Sequence, residues 1–129
     1  MSVSLPHAAP VRRMRRIYVA GPWARRHTAK IVAARVRAAG HWVTSRWHDL
    51  DAGPLPADDV EAAHDVKDIW AADTLLLLNL EKSEGKAVET GLALAWNLRI
   101  IVVGERSNVF HHLPHIILVD SVAAALALL

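Results

Sequence analysis

Not one of the 129 residues is a cysteine. Disulfides and thiolate chemistry are excluded, nothing points to an oxidising compartment, and a cytoplasmic setting is the expectation. Long apolar runs are missing too. "TLLLLNL" (74–80) and "IILVDSVAAALALL" (116–129) fall far short of the ~20 residues that a membrane-spanning helix needs, so no membrane partner is expected. Charge is sparse: 22% of residues are charged against 53% apolar, the balance of a compact globular chain that hides apolar surface in a core or between subunits. Three motifs are also absent. There is no GxxxxGK[ST] loop, which disfavours nucleoside triphosphate hydrolysis, and no GxSxG elbow, which disfavours an α/β-hydrolase. The third is HExxH: His64, His111, His112 and His115 invite a metal reading, but "HHLPH" (111–115) does not match that motif and no cysteine or close carboxylate joins it, so no metal is expected.

What is present suits one domain, since a chain of this length buries roughly two thirds of the surface it exposes when unfolded. The net charge of +2 and pI near 9.4 owe much to Arg12, Arg13, Arg15 and Arg16. Without a recognisable nucleic-acid-binding module, this cluster reads as a solvated leader, so residues 1–15 are expected to be a flexible basic tail and 16–129 the domain.

Strand and helix patterns alternate along that domain. "RIYVA" (16–20) is β-rich and stops at Gly21-Pro22. "TAKIVAARVRAAG" (28–40) sets Ile31, Val32, Arg35 and Val36 at helical spacing before Gly40. "HWVTSRW" (41–47) reads as a second strand, "HDLDAGPLP" (48–56) as a loop and Asp58–Ala72 as a helix with a mixed face. The continuous run "TLLLLNL" suits a central parallel strand covered on both sides. "KAVETGLALAWN" (86–97) follows as a helix whose core face is assigned to Val88, Leu92, Ala95 and Trp96. "RIIVVG" (99–104) and "HIILVD" (115–120) are strands, and "SVAAALALL" (121–129) is a closing helix with Ser121 as N-cap. The alternation predicts a three-layer α/β sandwich, a Rossmann/flavodoxin-like parallel sheet of about five strands. Ligands of such sheets sit beyond the carboxyl ends of the strands, here after Ala20, Arg46, Leu80 and Gly104.

Chemistry-bearing residues fall at those ends. Trp23 is the first bulky side chain beyond the first strand and can stack on a planar ligand, with Arg25 and Arg26 behind it. The loop "EKSEGK" (81–86) leads into the helix that carries Glu89 one turn in. A glutamate there complements the helix dipole by ~0.3–1 kcal/mol, and this bland role competes with a catalytic one. Asp65, on the preceding helix that Asp73 closes, offers a second carboxylate to the same cleft. A pair with separated pKa values, one a nucleophile and one a proton donor, is what glycosyl transfer requires.

Four stretches, "IYVAGPW", "HDVKDIWAADTLLLLNL", "GKAVETGLALAWNLRIIVVG" and "NVFHHLP", carry a resemblance that runs from Arg16 to about Asp120. The chain resembles the nucleoside 2-deoxyribosyltransferase family and its nucleotide N-glycosidase relatives, most specifically in the Glu-x-Gly-x-Ala segment Glu89-Thr90-Gly91-Leu92-Ala93. The resemblance implies that Glu89 attacks the anomeric carbon, that Tyr18 orients it and that Asp65 handles the proton of the departing base. It places Trp23 and Arg46, with Trp47, around the base. It gives Ser83 and Gly85, with Lys86 and Arg25 near, to the sugar's 5′ end, and it has Asn108 reach into the site of a neighbouring subunit, implying a homodimer or higher homo-oligomer. Ser83 replaces an aspartate usual in the transferases and suits a 5′-phosphate, as in the relatives that hydrolyse nucleoside monophosphates. The expected activity is cleavage of the N-glycosidic bond of a nucleoside or its 5′-monophosphate, with transfer to another base or to water and without a cofactor. A catalytically inactive nucleotide-binding or regulatory module on the same fold is the alternative, and an oligomer with a purely structural role is a third reading.

Overall fold

The computed structural model describes residues 14–50 and 59–129. Most of the expected basic tail (1–13) and residues 51–58, including Asp58 as the expected start of the second helix, lie outside the described residues. Five strands, β1 (Arg16–Ala20), β2 (Trp42–Val43), β3 (Thr74–Asn79), β4 (Arg99–Gly104) and β5 (Ile117–Val119), alternate with the helices α1 (Arg26–Ala38), α2 (Asp59–Trp70), α3 (Glu84–Ala95) and α4 (Val122–Ala127). All pairings are parallel and the order is β2-β1-β3-β4-β5, so the expected three-layer α/β sandwich is the observed one.

The core follows from the central runs. Ile17–Ala20, Leu75–Leu78 and Ile100–Val103 are buried in consecutive positions, as strands covered on both faces must be. The chain steps one way from β1 to β2 and the other way from β2 through β3 to β4. Right-handed crossovers then put α1 on one face and α2 and α3 on the other. Accordingly α1 packs on β1 and β2, while α2 packs on α3. The reversal falls between β1 and β3, whose carboxyl ends splay the following loops apart. Gly40 ends α1 at φ +93°, a backbone that L side chains rarely adopt.

Three expectations are corrected by the structure. The first concerns β2, which stops at Val43 instead of running to Trp47. Thr44 N–H still donates to Ile17 O at 2.8 Å, but beyond it the side chains of Ser45 and Trp47 take over the contacts to β1. The second concerns the core face of α3. Val88 is 63% exposed and Ala95 is exposed, whereas Lys86, Thr90 and Ala93 are buried. A polar pair can lie inward because both are satisfied there: the Lys86 ammonium donates to Asn79 Oδ1 and to Glu81 O, and the Thr90 hydroxyl donates to Lys86 O. On α1, likewise, Ile31 is 63% exposed and the buried set is Ala29, Val32, Ala33 and Val36.

Candidate active site

A cavity of about 260 Å³ opens at the strand-order reversal, between the loop after β1 and the amino end of α3. Each wall has a local cause. Gly21-Pro22 turns the chain out of β1 into a 3-10 turn, Trp23–Arg25, which presents Trp23. A second such turn, Trp47–Asp49, presents Trp47. The two indoles lie 6.5 Å apart at 43°, and the Arg26 guanidinium covers Trp23 at 4.8 Å from its ring centre. Helix α2 contributes Glu61 and Asp65, one turn apart, while α3 contributes Ser83, Gly85 and Glu89. The Ser83 hydroxyl caps α3 by accepting from Lys86 N–H at 3.4 Å.

Electrostatics set the two acids apart. Burial raises the Glu89 pKa to about 8; the facing Tyr18 hydroxyl pulls against this, Asp65 adds to it, and Lys86 opposes it. Asp65 is raised to about 6, first by burial and then by the negative charges of Asp68 and Glu61, with His64 and Arg46 opposing. Tyr18 sits below the cavity in β1, fully buried. Burial, and after it Glu89, pushes its phenol well above the usual range, so it stays a proton donor. Tyr18 Oη and Glu89 Oε2 are both buried without closing a hydrogen bond of ordinary geometry. Unsatisfied buried polar atoms are costly, and a proton donor and a carboxyl left open side by side suit an incoming polar ligand.

Among the expected site residues, Trp23, Trp47, Asp65, Ser83, Gly85 and Glu89 line this one cavity, with Tyr18 beneath. Three others do not. Arg25 is exposed and pairs with Glu81 at 3.2 Å. Arg46 turns away to a bidentate contact with Asp68, at 2.9 and 2.8 Å, tying the turn that carries Trp47 to α2. Asn108 lines a second cavity of about 330 Å³, with Lys82, Lys86, Ser107 and His111, and Ser83 is the residue that both cavities share. Asn108 also caps the turn Val109–His112 by accepting from Phe110 N–H at 3.0 Å.

Glu61, Asp68, Asn79 and Lys86 take part in ways that sequence reasoning missed or blurred. Glu61 precedes Asp65 by four positions and therefore shares its helix face, a spacing that was open to notice. Lys86 is not a free cation beside Ser83, because its ammonium is committed to Asn79 and Glu81 O, while Asn79 also donates to Glu105 O at 2.6 Å and to Ser107 Oγ at 3.1 Å. This clamp holds the loops after β3 and β4 together. No helix among the described residues is long and apolar enough to cross a membrane.

No family model matches the sequence, and no curated protein matches it. Solved structures do. The fold is similar to that of a conserved protein from Enterococcus faecalis V583, with TM-score 0.61 and 17% identity over 89% of this chain and 96% of that one. It is similar to BlsM, with TM-score 0.66 and 17% identity over 88% of this chain and 86% of that one. It is similar, too, to the CMP N-glycosidase BcmB of Clostridium botulinum, with TM-score 0.60 and 18% identity over 88% of this chain and 96% of that one. At such identities the likeness concerns the fold, and the chain thus shares its fold with proteins that include a nucleotide N-glycosidase.

Proposed function

We propose that this protein cleaves the N-glycosidic bond of a nucleoside 5′-monophosphate through a covalent glycosyl-Glu89 intermediate. The observation that carries the reading is the placement of Glu89, a buried carboxyl at the end of an aromatic-walled cavity with Tyr18 behind it and Asp65 on the opposite helix. A base lies against the Trp23 and Trp47 indoles, where an aromatic wall favours a planar ring. The Glu89 carboxylate attacks the anomeric carbon, the C–N bond breaks, and Asp65 gives its proton to the departing base. Water then takes the place of the base. Asp65, now ionised, accepts a proton from that water as its oxygen attacks the anomeric carbon, the ester to Glu89 breaks, and the free sugar phosphate leaves. A second base entering the same slot in place of water would make the reaction a transfer.

The phosphate is assigned to Ser83. That hydroxyl stands where the acid-rich cavity meets the one lined by Lys82, Glu84 and His111; sugar and base fit one side, and on the other an anion would meet the Lys82 ammonium and the N–H groups that open α3. We also propose a homodimer. Val109 and Phe110, beside Asn108, are 74% and 58% exposed, and burying them against a second copy would bring Asn108 toward that copy's site.

The test is chromatographic detection of free base from a panel of nucleosides and 5′-monophosphates, with and without an acceptor base, for wild type and Glu89→Ala. Release from monophosphates in water, lost in the variant, is expected. Product only with an acceptor would make it a transferase, and binding without any turnover would make it a nucleotide-binding module.

A further inference from the structure

Next to the cavity, β1 makes contacts that no strand supplies. In a parallel sheet the N–H and C=O of one residue point to the same neighbour, and at Val19 that neighbour should be β2, which has already ended. Two side chains replace it: Val19 N–H donates to Ser45 Oγ at 3.1 Å, and Trp47 Nε1–H donates to Val19 O at 2.7 Å. The indole that walls the cavity is therefore one half of a side-chain rung.

His48 stands behind the other half. Its ring is buried, its Nε2 lies 2.8 Å from Ser45 Oγ and its Nδ1 lies 3.3 Å from Asp49 Oδ1. It meets Trp47 edge to face, with centres 5.6 Å apart at 72°. One tautomer uses every proton. With hydrogen on Nδ1, His48 donates to Asp49 and leaves Nε2 to accept from the Ser45 hydroxyl, whose lone pairs then face Val19 N–H. With hydrogen on Nε2, two donors converge on Ser45 Oγ and its own proton must turn elsewhere. Burial favours the neutral ring, as do Arg37 and Lys30 of α1, against the pull of Asp49.

We infer that His48 is a positioning residue: its unprotonated Nε2 accepts the Ser45 proton, aims Ser45 at Val19 N–H, and so fixes the rung that holds the Trp47 wall against the substrate base. The consequence for binding rests on the proposed function; the consequence for Trp47 does not.

The test has two parts. Nitrogen NMR of the wild-type histidines should find His48 protonated on Nδ1 and bare on Nε2 at neutral pH, and the reverse tautomer overturns the inference. Solvent exchange of the Trp47 indole proton is then compared in wild type, His48→Leu, Ser45→Ala and His48→Gln, the last offering an acceptor near the place of Nε2. Exchange at least about tenfold faster in the first two variants, unaccompanied by β3 amides and restored by glutamine, is expected. Where the wild type turns over nucleotide, KM should rise about tenfold with kcat within about twofold. An unchanged indole proton, or one that quickens only together with the β3 amides, overturns the inference. If His48→Leu does not fold, Ser45→Ala decides the exchange experiment. If no nucleotide is cleaved, the functional reading fails while the tautomer and the indole proton still decide the role of His48.

Discussion

Glu89 and Asp65 face one cavity with pKa values of about 8 and about 6. The nucleophile of the proposed reaction is thus the weaker acid. Glu89 must be ionised while Asp65 keeps its proton, and at pH 7 on the order of one molecule in a hundred holds that arrangement. The pH profile of kcat/KM should therefore be a bell with limbs near 6 and 8. Asp65→Asn should lower kcat and replace the bell by a curve that only rises with pH, with its midpoint below 8 because a negative neighbour of Glu89 is gone. A bell retained in that variant would remove Asp65 from the proton transfer. Stability has its own sign. A carboxyl whose pKa rises on folding, here from 4.5 to about 8, contributes fully below the lower value and loses that contribution as pH climbs through the window. Glu89→Gln should abolish base release, yet at pH 8 it should melt at least about 4 °C above the wild type, with the gap closing toward pH 5; thermal melts at the two pH values check it. Glu89 was legible because it stands in a recognisable pentapeptide. Glu61 was only half legible: its four-residue spacing from Asp65 puts the two on one helix face, but a solvated glutamate on a helix looks the same in sequence as one that faces a cavity.

Helix α3 begins at the residue where the two cavities meet. Aspartate caps helices as well as serine does, so Ser83→Asp should leave the melting temperature within about 3 °C while setting a carboxylate where the phosphate is assigned. KM for monophosphates should rise at least about tenfold relative to free nucleosides; an unchanged ratio would move the phosphate elsewhere. At the end of β4, Gly104 has φ +116°, and a Cβ there would lie 2.8 Å from the carbonyl oxygen of Asn79. Gly104→Ala should cost about 2 kcal/mol or more in denaturant unfolding. Strand and helix order could be read from the periodicities, since a run such as Leu75–Leu78 has few other uses. The extent of β2 could not. Nothing in "HWVTSRW" says that Ser45 and Trp47 bond to β1 through side chains, and alternating residues of that kind satisfy a strand template equally well. The face of α3 misled for a related reason: Lys86 and Thr90 are polar by type and buried by virtue of partners that only the fold supplies.

For the whole molecule, parallel order and a reversal between β1 and β3 bring residues 18, 23, 47, 65, 83 and 89 to one place. The fold class was legible; the strand order, which decides which loops meet, was not, since crossover handedness restricts orders without selecting one. If the exposed Phe110 belongs to a subunit interface, Phe110→Glu should yield a monomer by sedimentation and lower turnover by at least about tenfold with no loss of secondary structure. A wild type that sediments as a monomer would instead leave Asn108 to its own chain. The chain's five tryptophans are divided along the same lines. Trp23 and Trp47 wall the cavity, Trp70 and Trp96 meet edge to face at 4.9 Å on the outer side of α2 and α3, and Trp42 lies at the sheet edge with 63% exposure. Occupancy of the cavity therefore acts on Trp23 and Trp47, whereas a soluble collider reaches the exposed Trp42 and Trp70 directly, so an emission change on binding that leaves collider quenching unaltered reports the cavity without a label.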